Sequence, residues 1–191
     1  ENLIEASDKI VALMDKMQKE DLPKDLSVVI TGDQSDQTRT TVHDLINTII
    51  IGFVLVTLIL MFFMGTTNAI FVGLSVPISM FVAFFVFHSL DVSLNMIVLF
   101  AFLLALGIVV DDAIVVIENT HRIFHTSNLS IVKSAKVAAG EVFVPVLAGT
   151  LTTIAPVFPL LFWPGVVGEF MFYLPITLIV TLMASLVVAF I

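Results

Sequence analysis

The chain contains no cysteine, one Trp, one Tyr and, after position 44, only three basic residues. The first absence excludes disulfides, thiolate metal sites and a cysteine nucleophile. The formal net charge of −8 says little about partners, five units of it lying in residues 1–44 and three in the rest, and it is the long apolar runs that exclude a nucleic-acid binder. Charge of either sign is thin: 13% of the 191 residues are Asp, Glu, Lys or Arg, about half of what a soluble domain carries, and 59% are hydrophobic. Residues 1–44 hold fifteen of the twenty-four charges, ten acidic and five basic, and residues 45–191 hold nine. A short polar piece is thus joined to a piece made of long apolar runs, which excludes a soluble enzyme and a disordered tail.

In the polar piece, Leu3, Ile10, Met14 and Met17 recur at helical spacing and predict an amphipathic helix. Leu26 to Thr31 reads as a strand closed by Gly32 and Asp33, and residues 32–44 as a polar connector. One helix and one strand cannot bury a core, so the expectation is the tail of an α+β domain. The chain starts at Glu1 and stops at Ile191 inside an apolar run, as an excerpt of a larger protein would.

Five transmembrane spans are expected, at about 45–64, 69–88, 94–117, 142–163 and 170–191, each close to the ~20 residues that cross a hydrocarbon core. The fold class is therefore an all-α membrane bundle preceded by a small α+β remnant. The cytoplasmic link is expected at 118–141, because it carries Arg122, Lys133 and Lys136, all the basic residues after position 44. Residues 1–44 and the loops around Asp91 and Gly165 then fall on the opposite side. Within the link, Ser130 would cap a short interfacial helix from Ile131 to Ala139, ended by Gly140, with Ile131, Ala135 and Ala138 toward the membrane and Lys133 and Lys136 toward lipid phosphates.

The third span contains Asp111 and Asp112. An ionised Asp at the centre of a span costs about 2.5–3.5 kcal/mol on insertion scales, so two must recover that through partners, water or protonation. The bland reading puts the pair at a helix end among headgroups. Against it, Ala113 to Ile117 continues the apolar run for more than a turn, so the pair is read as an intramembrane proton or ion site. Glu118 lies seven residues on, on nearly the same face, and reads either as part of a proton path or as a solvated carboxylate. Thr150, Thr152 and Thr153 are candidates to offer hydroxyls to the aspartates, although threonine in a membrane helix commonly bonds its own backbone. Ala101, Ala105 and Gly107 suit close helix packing. Pro77, Pro145, Pro156, Pro159 and Pro175 are expected to kink their spans. His121 and His125 have metal-pair spacing without an evident third ligand, so no metal and no cofactor is expected.

The stretch Leu106-Gly-Ile-Val-Val-Asp-Asp-Ala-Ile-Val-Val-Ile-Glu-Asn-Thr-His-Arg122 closely resembles the fourth transmembrane helix of resistance-nodulation-division (RND) efflux transporters. Val76-Pro77-Ile78 resembles that family's third helix, Phe143-Val-Pro145 through Phe162-Trp-Pro-Gly165 its fifth helix and following loop, and residues 1–44 the end of its first periplasmic porter half. The resemblance implies helices two to six of a twelve-helix transporter. It also implies that Asp111 and Asp112 carry protons, set against a lysine from the second half. The pair followed by Ala-Ile-Val-Val-Ile-Glu-Asn favours the hydrophobe and amphiphile (multidrug) branch over the heavy-metal branch, which usually has one aspartate there. The implied protein is a bacterial inner-membrane drug/proton antiporter, a homotrimer handling amphiphilic small molecules with a periplasmic adaptor and an outer-membrane channel, and not an enzyme. Alternatives are a heavy-metal or lipid exporter on the same scaffold, or a non-transporting membrane receptor or scaffold.

Overall fold

The structure, a computed structural model, describes residues 3–20, 23, 26, 28–90, 92 and 95–191. It divides into two compact units, residues 1–44 and 45–191. In the first, the apolar spacing produces helix α1 (Leu3–Glu20), with Met14 and Met17 half-buried. Its Ser7 hydroxyl donates to Asp33 Oδ2 (2.7 Å), and Asp33 Oδ1 accepts the backbone N–H of Ser35 (2.8 Å), where helix α2 (Ser35–Met64) begins. The Ser35 hydroxyl donates to Ser7 Oγ (3.1 Å), and Arg39 holds both carboxylate oxygens of Asp8 at 2.6 Å. The hydroxyl of Ser7, then the backbone and hydroxyl of Ser35, hold the Asp33 carboxyl below the ordinary carboxylate range.

The strand expected at Leu26 to Thr31 does not form: residues 26 and 28–31 are irregular, and Ser27 lies outside the described residues. Leu26, Val29 and Ile30 are exposed. A strand needs a hydrogen-bonded neighbour, and no described residue supplies one.

Among the described residues, five helical stretches are long and apolar enough to cross a membrane, the first of them beginning in the first unit: Ser35–Met64, Thr66–Ser89, Met96–Thr126, Ile131–Ile154 and Val166–Phe190. They comprise the rest of α2, α3 (Thr66–Ser89), α4 (Met96–Leu106), α5 (Val110–Thr126), α6 (Ile131–Ile154), α7 (Val166–Met171) and α8 (Tyr173–Phe190). Gly65, at φ +79°, makes the turn between α2 and α3, a backbone conformation that side-chain-bearing residues rarely adopt. Thr66, Thr67 and Asn68, which fall between the expected spans 45–64 and 69–88, are already helical.

Packing brings small residues to the helix contacts, as bundles in lipid do, together with a few large side chains such as Phe87, Phe102 and Met80, while other large apolar residues face outward. Ala69, Ala83, Ala101, Ala105 and Ala138 are fully buried, whereas Phe62, Phe81 and Phe85 face outward. A Cβ on Gly73 would strike the Thr57 hydroxyl oxygen and the Phe53 ring, so α2 rests on α3 at a point where any larger residue would force those side chains to move. Val72 and Val76 of α3 pack on Val110 and Ala113 of α5, and Phe84 and Phe87 of α3 meet the Phe102 ring of α4. Helix α8 packs against α3, α4 and α5.

The expected segmentation changes at two further places. Helix α6 is unbroken from Ile131 to Ile154 and passes through Gly140, so the separate interfacial helix 131–139 is not formed. Ser130 precedes α6 without a side-chain cap. Ala138, expected to face the membrane, is buried, with its carbonyl accepting from Asn119 of α5 (3.0 Å). Glycine ends a helix by adopting a left-handed conformation, and contacts to α5 on both sides of Gly140 favour continuation. Beyond Ile154 the helix gives way to a turn at Pro156 and a short 3-10 helix, Phe158–Phe162, containing Pro159, so helix does not fill the expected span to 163. Pro77 and Pro145 lie inside α3 and α6, and Pro175 in the first turn of α8.

Candidate functional site

The third spanning stretch is not one continuous helix. Residues 107–109 form a tight turn in which Ile108 N–H donates to the Ala105 carbonyl three residues back (2.9 Å) and Asp111 N–H to the Ile108 carbonyl (3.3 Å). Helix α5 therefore starts afresh at Val110, with Asp111 and Asp112 in its first turn. Peptide dipoles at a helix start favour negative charge, so the interruption suits the two carboxylates better than the middle of a straight helix would.

Asp112 is half-buried and points between two neighbouring helices. From α6, the buried Thr150 hydroxyl lies 3.1 Å from Asp112 Oδ1 and 3.0 Å from the Val146 carbonyl. From α8, the buried Ser185 hydroxyl lies 2.6 Å from the Val109 carbonyl and 3.3 Å from Asp112 Oδ2. Asp111 is exposed and lines, with Asp112, Pro145, Gly149, Thr150 and Thr153, a cavity of about 290 Å³. No basic side chain is among the residues lining it.

The other expected residues separate. Thr153 reaches the cavity wall, but its hydroxyl bonds the Gly149 carbonyl (3.1 Å). Thr152 is exposed, bonds the Ala148 carbonyl (2.7 Å) and does not line the cavity. Glu118 lies in a second cavity, of about 490 Å³, with Asn119, His121, Arg122 and Val142. Val115 lines both cavities. The His121 and His125 rings approach to 4.3 Å between centroids, and no group of three potential metal ligands occurs among the described residues. Asp91 lies outside the described residues.

Two features went unread in the sequence. Ser185 stands alone in an apolar run 73 residues from Asp112, with no local pattern to mark it. At the far end of α5, Asn119 donates to the Ala138 carbonyl (3.0 Å) and Glu141 Oε2 (3.3 Å) of α6, and accepts from Arg122 Nε (3.0 Å) and NH2 (2.7 Å). Arg122 also pairs with Glu141 at 3.0 Å. Asn119 was visible as part of a motif, but its partners lie on another helix.

Known proteins match this arrangement. A model of the AcrB/AcrD/AcrF family matches residues 1–191, the entire chain. The chain belongs to that family. It is an RND transporter family, so this AcrB/AcrD/AcrF member is a multi-pass membrane protein of a transporter class. Among solved structures, an X-ray crystal structure of a heavy metal efflux pump matches with a TM-score of 0.77 and 29% sequence identity over 100% of this chain. The match covers 19% of that pump, so the chain spans about a fifth of its length.

Proposed function

We propose that this chain is part of a proton-driven efflux pump in which Asp111 and Asp112 take up and release the coupling proton. The observation that carries the reading is the setting of Asp112: a carboxyl inside a spanning stretch, touched by two hydroxyls, beside a cavity without a basic residue in its lining. Such a group must exchange protons or meet a cation from elsewhere in the protein, because hydroxyls alone do not repay the desolvation of a charge. A membrane potential of ~100 mV supplies about 2.3 kcal/mol per charge moved, enough to shift a two-state equilibrium separated by a similar amount. Glu118 and its cavity stand two turns further along α5, on the far side of Val115, and form the continuation of the proton path.

The clustering of Arg122, Lys133 and Lys136 supports an orientation with 118–141 in the cytoplasm and 1–44 in the periplasm, in the bacterial inner membrane. The working assembly on this reading is a homotrimer with a periplasmic adaptor and an outer-membrane channel. The adjacent aspartate pair supports amphiphilic drugs as substrates. A second reading, export of heavy-metal ions, is favoured by the 29% identity to a heavy metal efflux pump. The full-length protein in vesicles with an imposed pH gradient separates them. Gradient-dependent transport of an amphiphilic dye establishes the first, and gradient-dependent transport of a soft metal ion establishes the second. Absence of both refutes proton-coupled efflux.

A further inference from the structure

We infer that Ser185 is a positioning residue that passes the protonation state of Asp112 to the break between α4 and α5, by carrying one hydrogen that only one of two acceptors can hold. The inference rests on the proton-relay reading of Asp112. A serine hydroxyl has a single hydrogen and two acceptor sites. Ser185 Oγ lies 2.6 Å from the Val109 carbonyl and 3.3 Å from Asp112 Oδ2, so the short contact takes the hydrogen. What Ser185 then presents to Asp112 is a lone pair. Facing an ionised carboxylate this is repulsive; facing a protonated one it accepts the carboxyl O–H. The contact with the Val109 carbonyl is thus the arrangement assigned to the protonated carboxyl.

When Asp112 loses that proton, both of its oxygens become acceptors, and a charged acceptor outcompetes a neutral carbonyl for the Ser185 hydrogen. The hydroxyl turns toward Asp112, and the Val109 carbonyl is released. Val109 is fully buried and directly precedes α5, so its carbonyl stands at the head of that helix's backbone ladder and loses the hydroxyl as its additional partner. It also sits in the turn 107–109, where three-residue bonds at Ile108 and Asp111 flank a four-residue bond from Val109 N–H to the Ala105 carbonyl (3.0 Å). What changes at the α4–α5 junction when Asp112 deprotonates is therefore the hydrogen bonding of the Val109 carbonyl.

Thr150 cannot play the same part. Its distances to Asp112 and to the Val146 carbonyl are 3.1 and 3.0 Å, a shared bond, and Val146 lies within the regular helix α6. Among the described residues lining the cavity, Asp111 and Asp112 are the titratable ones. Helices α6 and α8 line it with uncharged residues, and α3 meets α5 through Val72 and Val76.

The test follows the Val109 carbonyl in the full-length protein, carbonyl-labelled at valine and reconstituted in lipid. Its solid-state NMR resonance is assigned as the one lost in Val109→Ile. The expected result is a resonance that moves between acid and alkaline pH in the parent, stays at its acid position in Asp112→Asn, loses the movement in Ser185→Ala and regains it in Ser185→Thr. If the parent amplitude persists in Ser185→Ala, or the parent resonance is still while an infrared carboxyl band absent from Asp112→Asn titrates, the serine link is wrong and the relay stands. If no carboxyl band depends on Asp112 at any pH, the proton-relay reading fails, and this inference with it.

Discussion

Asp33 and Asp112 are built from the same parts, a carboxyl with hydroxyl-bearing neighbours, and behave as opposites. At Asp33, the Ser7 hydroxyl and the Ser35 N–H both donate to the carboxylate, while the Ser35 hydroxyl donates onward to Ser7. Every hydrogen in that small chain has one acceptor, so the charged state is the one that fits. At Asp112, each neighbouring hydroxyl is also within bonding distance of a backbone carbonyl. Competing acceptors leave two arrangements close in energy. The donors around Asp33 all point to its carboxylate; those around Asp112 are each divided between the carboxyl and a backbone carbonyl.

The strongest way to break this contrast is to fix Asp112 in its neutral form. Asp112→Asn in the full-length protein is expected to reduce proton-coupled efflux to background while expression and assembly persist, whereas Asp33→Asn leaves transport near the parent rate; vesicle transport assays measure both. Next in size is Asn119→Ala, which removes the link from α5 to the Ala138 carbonyl, itself still bonded within α6, and the acceptor for Arg122. A loss of about 0.5–1.5 kcal/mol in stability is expected, seen as a lower unfolding temperature in detergent. Breaking the Arg122 to Glu141 pair alone costs less, about 1 kcal/mol at most, because those side chains are 61% and 50% exposed.

Thr150→Val tests the α6 side of the site. It removes one hydroxyl worth about 0.5–1.5 kcal/mol, so a change of roughly 2- to 10-fold in transport rate near neutral pH is expected. The smallest effect belongs to Asp33. Its folded carboxyl value is lowered, so its contribution is present above the unfolded value and fades as pH falls through the folded one. The protection factors of amides at the start of α2, exchange rates taken relative to the intrinsic rate at each pH, should therefore fall on acidification in the parent and lose that dependence in Asp33→Asn.

Much of this was legible from hydropathy. Apolar runs of spanning length announce themselves, and two carboxylates inside one stand out because their cost there is high. Residues whose meaning depends on a partner far along the chain were not legible. Ser185 is chemically ordinary until α8 lies beside the turn at Val109, and Asn119 until Ala138 faces it. The same limit explains the errors at Gly140 and at Leu26 to Thr31. A glycine stops a helix and a β-prone run makes a strand only when neighbours agree, and local composition carries no record of neighbours.

Val115, an exposed apolar side chain, lines both the aspartate cavity and the Glu118 cavity. A coupled machine has to insulate as well as conduct. Water running unbroken from one cavity to the other would let protons fall down their gradient without visiting any switch, and the gradient would be short-circuited. The wettability of this one position, as much as the chemistry of the carboxyls, would then set how much of the driving force is lost as heat.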